Sequence, residues 1–252
     1  ANNPLPRWWV ILFVLTIIFG LSYLWLYPGL GARAGSLGWS TQAQHQAEAQ
    51  AMNDQIRPLY VAFQARPVPE LIADPKARAI GERLFLNNCA QCHGTDARGS
   101  RGFPNLTDTD WLHGGTHDKI KETLVKGRIG NMPPMAAAVG SPEDVRNLAQ
   151  YVLSLSKSPH DSLKAALGKP KFTACAACHG ADGKGNQALG APNLTDDIWL
   201  HGWGENAIVA MVTNGKVNQM PAQAGKLTDP QLHVLASYVW GLSNNPAKVA
   251  TK

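Results

Sequence analysis

The sequence predicts an all-α protein in which one long apolar helix precedes two copies of a small helical domain. Three observations predict it. Residues 8–27 read WWVILFVLTIIFGLSYLWLY, twenty positions without a charge. Beyond residue 74 a set of short motifs occurs twice, in the same order and at a nearly constant offset, which marks a duplicated unit. Asp74-Pro75 and Ser141-Pro142-Glu143-Asp144 carry helix-start chemistry: a capping side chain, Pro at the first helical position and acidic residues in the first turn.

The apolar run comes first. At about 1.5 Å per residue it crosses a hydrocarbon core of about 30 Å. Trp8 and Trp9 at one end, with Trp25 and Tyr27 at the other, suit the two aromatic belts of a spanning helix. Pro28 and Gly29 stop it. Ala32-Arg33-Ala34 resembles a cleavage site, but the apolar run is too long for a signal peptide, so an uncleaved anchor over residues 1–30 is expected. Residues 31–73 form a connecting segment, whose stretch 41–63 is rich in the helix formers Ala and Gln and is broken at Pro58. A spacer helix and a docking surface for another subunit are both open readings of it.

The duplicated unit follows, as domains 74–156 and 157–252. Gly81 and Phe85 share a helix face ahead of Cys89-Ala-Gln-Cys92-His93, as Gly168 and Phe172 precede Cys175-Ala-Ala-Cys178-His179. Pro104-Asn-Leu-Thr-Asp108 returns as Pro192-Asn-Leu-Thr-Asp196, and Trp111-Leu-His-Gly114 as Trp199-Leu-His-Gly202. Gly127 to Pro133 matches Gly215 to Pro221, each ending in Met-Pro, and Tyr151-Val-Leu matches Tyr238-Val-Trp. Terminal helices are expected from Ser141 to about Ser156 and from about Asp229 to Leu242, with residues 156–160 as linker. Pro170 departs from the first copy and shortens or kinks the leading helix of the second.

The cysteines name the cofactor. Two thiols with an adjacent His, Cys-x-x-Cys-His, suit the two vinyl groups and the iron of one haem c, and the signature occurs twice. A zinc ribbon would need its Cys pairs much closer, and disulfides would leave the paired His unexplained. Two covalently bound haem c groups are therefore expected, with Cys89, Cys92 and His93 at one and Cys175, Cys178 and His179 at the other. Each domain has about 80 residues, a size at which apolar burial alone is marginal, so the haem plate would complete each core. Helix, haem site, Gly/Pro-rich loop with Met, then terminal helix is the order of class I cytochrome c folds.

Met132 and Met220 occupy the same station in the two repeats and are the candidate distal iron ligands. A thioether is soft, favours Fe(II) and raises the potential relative to a second nitrogen ligand. Met135 competes with Met132, and repeat alignment favours Met132. Whether each Met serves its own repeat's haem or the other's stays open. His113 and His201 suit a propionate hydrogen bond better than ligation, given Met nearby. Trp111 and Trp199 are expected near the haem edge. His45, His117, His160 and His233 lack repeat partners and read as surface or linker residues. No paired carboxylates or nucleophile–base pair suggests a catalytic residue in this chain. The net charge of +5 is diluted over 252 residues, and no basic run is interleaved with aromatics, so nucleic acid is not an expected partner.

The opening Asn2-Asn3-Pro4-Leu5-Pro6-Arg7-Trp8-Trp9 resembles that of the diheme CcoP/FixP-type subunit of cbb3-type cytochrome c oxidases. So do Tyr27-Pro28-Gly29-Leu30-Gly31, Leu37-Gly38-Trp39 and the two Trp-Leu-His-Gly motifs. The resemblance covers nearly the whole chain. It implies a single-pass protein of the bacterial inner membrane with both haem domains in the periplasm. It implies electron entry from a soluble cytochrome c or a bc1 complex. Electrons would then be relayed to a monohaem cytochrome c subunit and a catalytic haem–copper subunit, where oxygen is reduced and protons are pumped. Cys89, Cys92, His93 and Met132 would hold one haem, and Cys175, Cys178, His179 and Met220 the other. A membrane-tethered diheme carrier serving another dehydrogenase or reductase would share both haem sites; the opening motif and the Ala/Gln segment are the distinguishing features. A diheme peroxidase would need one open iron position, which Met in both repeats argues against.

Overall fold

A computed structural model of the chain describes residues 4–29 and 31–244. Asn2, Asn3 and Leu30 of the quoted motifs lie outside the described residues. The chain divides into two compact units, residues 1–59 and 60–252.

The first unit holds α1 (Arg7–Leu26) and most of α2 (Thr41–Gln64). No residue of α1 is buried within the protein, as a helix solvated by lipid requires. Stacking of Trp9 on Phe13 and of Tyr23 on Tyr27 groups its aromatics near the two ends. The helix ends because Tyr27 is extended ahead of Pro28, and Ser36 and Leu37 return their N–H groups to the carbonyls of Trp25 and Leu26. Trp39 packs edge-on against Tyr27 and donates Nε1–H to Gln44 Oε1 at 2.8 Å, which gives the Leu-Gly-Trp motif its structural task. Contrary to expectation, α2 runs through Pro58. The lost backbone bond lies on an exposed helix where water can replace it, and Phe63, buried one turn further on, anchors the end.

The second unit is helical apart from one short ribbon. In chain order it contains α3 (Val68–Ala73), α4 (Pro75–Asn88), α5 (Ala90–His93), α6 (His117–Lys126), β1 (Arg128–Met132), α7 (Ala136–Val139) and α8 (Pro142–Leu155). Then follow α9 (Ser162–Gly168), a 3-10 turn (Lys169–Phe172), α10 (Thr173–His179), α11 (Glu205–Asn214), β2 (Lys216–Met220) and α12 (Asp229–Asn244). The helix-start signals hold: Asp74 accepts from the N–H groups of Lys76 and Ala77, and Ser141 with Asp144 closes a capping box. Pro170 acts as expected, turning the end of the leading helix of the second repeat into the 3-10 turn.

Two apolar cores form, and each draws on both repeats. One unites Phe85 and Cys89 of the first repeat, with Ile120 and Leu124 of α6, and Leu232, Leu235, Ala236 and Val239 of α12 in the second. The other unites Val145, Leu148, Ala149 and Val152 of α8 in the first repeat with Phe172, Ile208 and Val212 of the second. The crossing of leading and terminal helices is thus between repeats. Phe85 packs on Tyr238 with ring centroids 5.9 Å apart, and Phe172 on Tyr151 at 5.4 Å. Gly81 lies against Tyr238, and Gly168 against the backbone of Asn147. Lys171 and Asp144 add an ion pair across the second contact at 3.0 Å. Residues 156–160 connect α8 to α9 within one core instead of separating two.

The exchange runs through β1 and β2. They pair antiparallel with Arg128 opposite Met220 and Met132 opposite Lys216, so β1 carries the chain out of the first core and β2 carries it back. The two repeats present near-identical helix faces, Gly and Phe against Tyr, and either terminal helix satisfies either leading helix chemically. Connection geometry decides between them, as in domain swapping.

Candidate haem sites

Each attachment site is one helical turn built at the end of a leading helix. In the first, Cys89 ends α4, its N–H bonded to Phe85 O at 2.7 Å, and α5 brings Cys92 and His93 round on the same side. In the second, Cys175, Cys178 and His179 lie on α10. A glycine of positive φ ends both turns, Gly94 at 78° and Gly180 at 80°, where a side chain would be strained. All four thiols are free. Cys92 and Cys178 are exposed, whereas burial and the neighbouring Cys92 push the Cys89 thiol up to about 11.

The repeated Pro-Asn-Leu-Thr-Asp loop orients the histidines. Asn105 Oδ1 accepts from the backbone N–H and hydroxyl of Thr107 at 2.9 and 2.8 Å, and Asn193 does the same for Thr195. The turn so fixed aims the preceding proline carbonyl at the ring: His93 Nδ1 donates to Pro104 O at 2.9 Å and His179 Nδ1 to Pro192 O at 3.1 Å. That bond selects the tautomer with its lone pair on Nε2, the arrangement expected of a metal-ligating imidazole. Both rings are nearly enclosed, 6% and 7% exposed, and burial holds both below the usual imidazole range.

The methionines lie opposite where the order of the repeats would put them. Met220, from the second repeat, packs on the core that contains Cys89, Leu106 and Trp111. Met132, from the first repeat, packs on the core that bears Cys175, Leu194 and Trp199. Met135 joins the latter core as well, but its repeat counterpart is Gln223. The two share the same bond, Met135 N–H to Val212 O and Gln223 N–H to Leu124 O, both at 2.8 Å. A station held by Met in one copy and Gln in the other is no common ligand position.

The residues fit a covalently held haem. Thiols and an oriented imidazole share one turn, and Trp199 Nε1 is buried without a hydrogen-bond partner among the described residues, as a donor awaiting a carboxylate would be. His117 and His233 correct their expectation. Their rings pack edge to face at 4.9 Å between α6 and α12, with Ser237 Oγ at 3.2 Å from His117 Nε2. Without a repeat counterpart, no sequence signal marked that pair.

A family model described as cytochrome c oxidase, cbb3-type, subunit III, matches residues 76–152 and again 168–239. A second, the N-terminal domain of cytochrome oxidase-cbb3, FixP, matches residues 1–34. The chain belongs to the subunit III family of cbb3-type cytochrome c oxidases. It is 62% identical to the cbb3-type cytochrome c oxidase subunit CcoP of Rubrivivax gelatinosus, over 99% of this chain and 82% of that protein. It is 40% identical to the subunit FixP of Sinorhizobium medicae (strain WSM419), over 96% of this chain and 89% of that one. Membership accounts for the twofold motif set as two tandem cytochrome c domains, and for α1 as the membrane anchor of an electron-transfer subunit.

Proposed function

We propose that the chain binds two haem c groups with exchanged distal ligands. Cys89, Cys92, His93 and Met220 hold one, and Cys175, Cys178, His179 and Met132 the other. The observation that carries this reading is the packing of each Met on the core that bears the other repeat's Cys-x-x-Cys-His turn. When bound, each haem supplies a one-electron Fe(III)/Fe(II) couple. The protein's residues would do the rest: a thioether and an imidazole would ligate each iron and leave oxygen no place to bind, while the apolar cores would keep water away. The division into an anchor over 1–30, a connecting segment over 31–73 and tandem domains 74–156 and 157–252 then describes chain order, with the terminal halves exchanged.

The haem domains lie in the periplasm, because bacterial haem c attachment takes place on the outer face of the inner membrane. They accept electrons from a soluble cytochrome c or a bc1 complex. They deliver them to the monohaem cytochrome and the haem–copper subunit, where oxygen reduction and proton pumping occur.

Mild-detergent purification from the native membrane tests the assignment to an oxidase: b-type haem, copper and oxygen uptake with reduced cytochrome c should accompany the chain. A lone c-type spectrum would make it a carrier for another enzyme. Ligand exchange is tested by redox titration of Met220→His and Met132→His, each of which lowers one potential. The affected haem is identified by its nuclear Overhauser contacts. Met220→His should shift the haem beside Trp111, and Met132→His the haem beside Trp199; the reverse result would return each Met to its own repeat.

A further inference from the structure

The Trp-Leu-His-Gly motif is repeated as faithfully as the haem turns, yet neither His113 nor His201 belongs to the ligand set. Both lie where the two halves of the unit meet. Each faces the loop that follows the other repeat's haem turn. The first such loop is closed by pairing of Ser100 with Phe103, the second by Asn186 with Ala191. Both loops are tied directly to the histidine-bearing turns, Gly99 N–H to His93 O at 2.7 Å and Gly185 N–H to His179 O at 2.8 Å.

The contacts across the seam are reciprocal. Gly102 and Gly190 occupy the same repeat position; a side chain on Gly190 would collide with the His113 ring, and one on Gly102 would point at His201 Nδ1. From the first haem loop, Gly102 N–H donates to Leu200 O at 2.8 Å and Arg101 Nε to His201 O at 3.0 Å. From the second, Gln187 Nε2 donates to Trp111 O at 3.1 Å. The imidazole of His201 then extends this link: its Nε2 accepts from Asn218 Nδ2 at 2.9 Å, on β2 between the two halves. Burial, Lys216 and Arg101 hold that ring below the usual imidazole range, which keeps Nε2 an acceptor.

We propose that His201, with His113 as its counterpart, is a positioning residue for electron passage between the two haems. Its backbone carbonyl holds the first haem loop through Arg101 and its ring holds the connecting ribbon through Asn218, so one residue joins both to the segment that carries Trp199. It is not one of the candidate iron ligands, so its ring bond to Asn218 bears on the relation of the two sites and not on the ligation of either iron. In the step served, one iron loses an electron and the other gains it, with no bond or proton changing hands. The inference rests on the two-haem reading above.

The test uses the full haem-loaded chain in detergent, with His201→Leu, His201→Gln and His113→Leu. Haem content and the Met–iron absorption band report on the two-haem reading; their loss in the unmutated chain would fail that reading, not this one. With those intact, a rapid photoreduction pulse followed by the redistribution of the electron reads the exchange rate between haems. His201→Leu should slow that exchange several-fold with both midpoint potentials unchanged, and His113→Leu should slow it too. His201→Gln, which keeps an acceptor for Asn218, should restore most of the rate. An unchanged rate in His201→Leu overturns the proposal. So does a shifted potential in one haem, which would make the residue part of that haem's pocket.

Discussion

Replacing Gly81 by Ala tests the inter-repeat core most directly. A methyl on Gly81 would sit 2.5 Å from Tyr238 Cβ and 3.1 Å from Cγ, whereas carbon atoms rest at roughly 3.5–4.0 Å. Tyr238 Cβ is fixed to the backbone of α12, so rotamer change cannot relieve the clash; α4 and α12 must separate by about 1 Å. Overpacking of this kind costs about 1–3 kcal/mol. In a unit spanning residues 60–252, each kcal/mol lowers Tm by about 2–4 °C, so a fall of about 2–12 °C is expected. The assay is thermal unfolding of the purified haem-loaded chain, with Gly225→Ala as control, because nothing lies within 4 Å of that position. A double-mutant cycle with Tyr238→Gly should show coupling well above the roughly 0.5 kcal/mol scatter of independent sites. A wild-type Tm for Gly81→Ala, or strict additivity in the cycle, would refute the packing of the first repeat's leading helix on the second repeat's terminal helix.

Three further outcomes are expected. Phe85→Ala removes a fully buried ring from the core of Cys89 and should cost about 3–5 kcal/mol, read by denaturant unfolding, with the first haem site losing its Met–iron band first. The Lys171 ammonium, joined by the Ser141 N–H and hydroxyl, holds the Asp144 carboxyl down at about 2, so its folded-state value lies below the unfolded one. The stabilisation is present above the ordinary carboxylate value of 3.8 and fades as pH falls towards about 2; stability titrations of Asp144→Asn should lose that acid limb and match wild type at its foot. Cys92→Ala leaves one thioether at the first site, so haem staining of that site after denaturing electrophoresis should fall, and full retention would contradict attachment there.

Much of this protein was legible in its residues because the chemistry concerned is local. Two thiols and a His on one turn, a capping box at Ser141 or an uncharged run of twenty residues act over a helical turn or along one helix, and spacing alone specifies them. Duplication added a second reading of every motif, which set Met132 above Met135 before any coordinates. The same duplication hid what it could not distinguish. Gly81 and Phe85 match Gly168 and Phe172, and Tyr151 matches Tyr238, so no residue-level preference tells one helix crossing from the other. His117 and His233 escaped for the opposite reason, having no second copy to mark them.

By itself, then, the sequence determined the membrane helix, the number of cytochrome c repeats, the Cys-x-x-Cys-His turns and the candidate ligand residues. Tertiary structure alone decided which methionine packs on the core of which Cys-x-x-Cys-His turn. The choice depends on where two five-residue strands carry the chain, and antiparallel pairing of β1 with β2 delivers each terminal half to the other repeat's core.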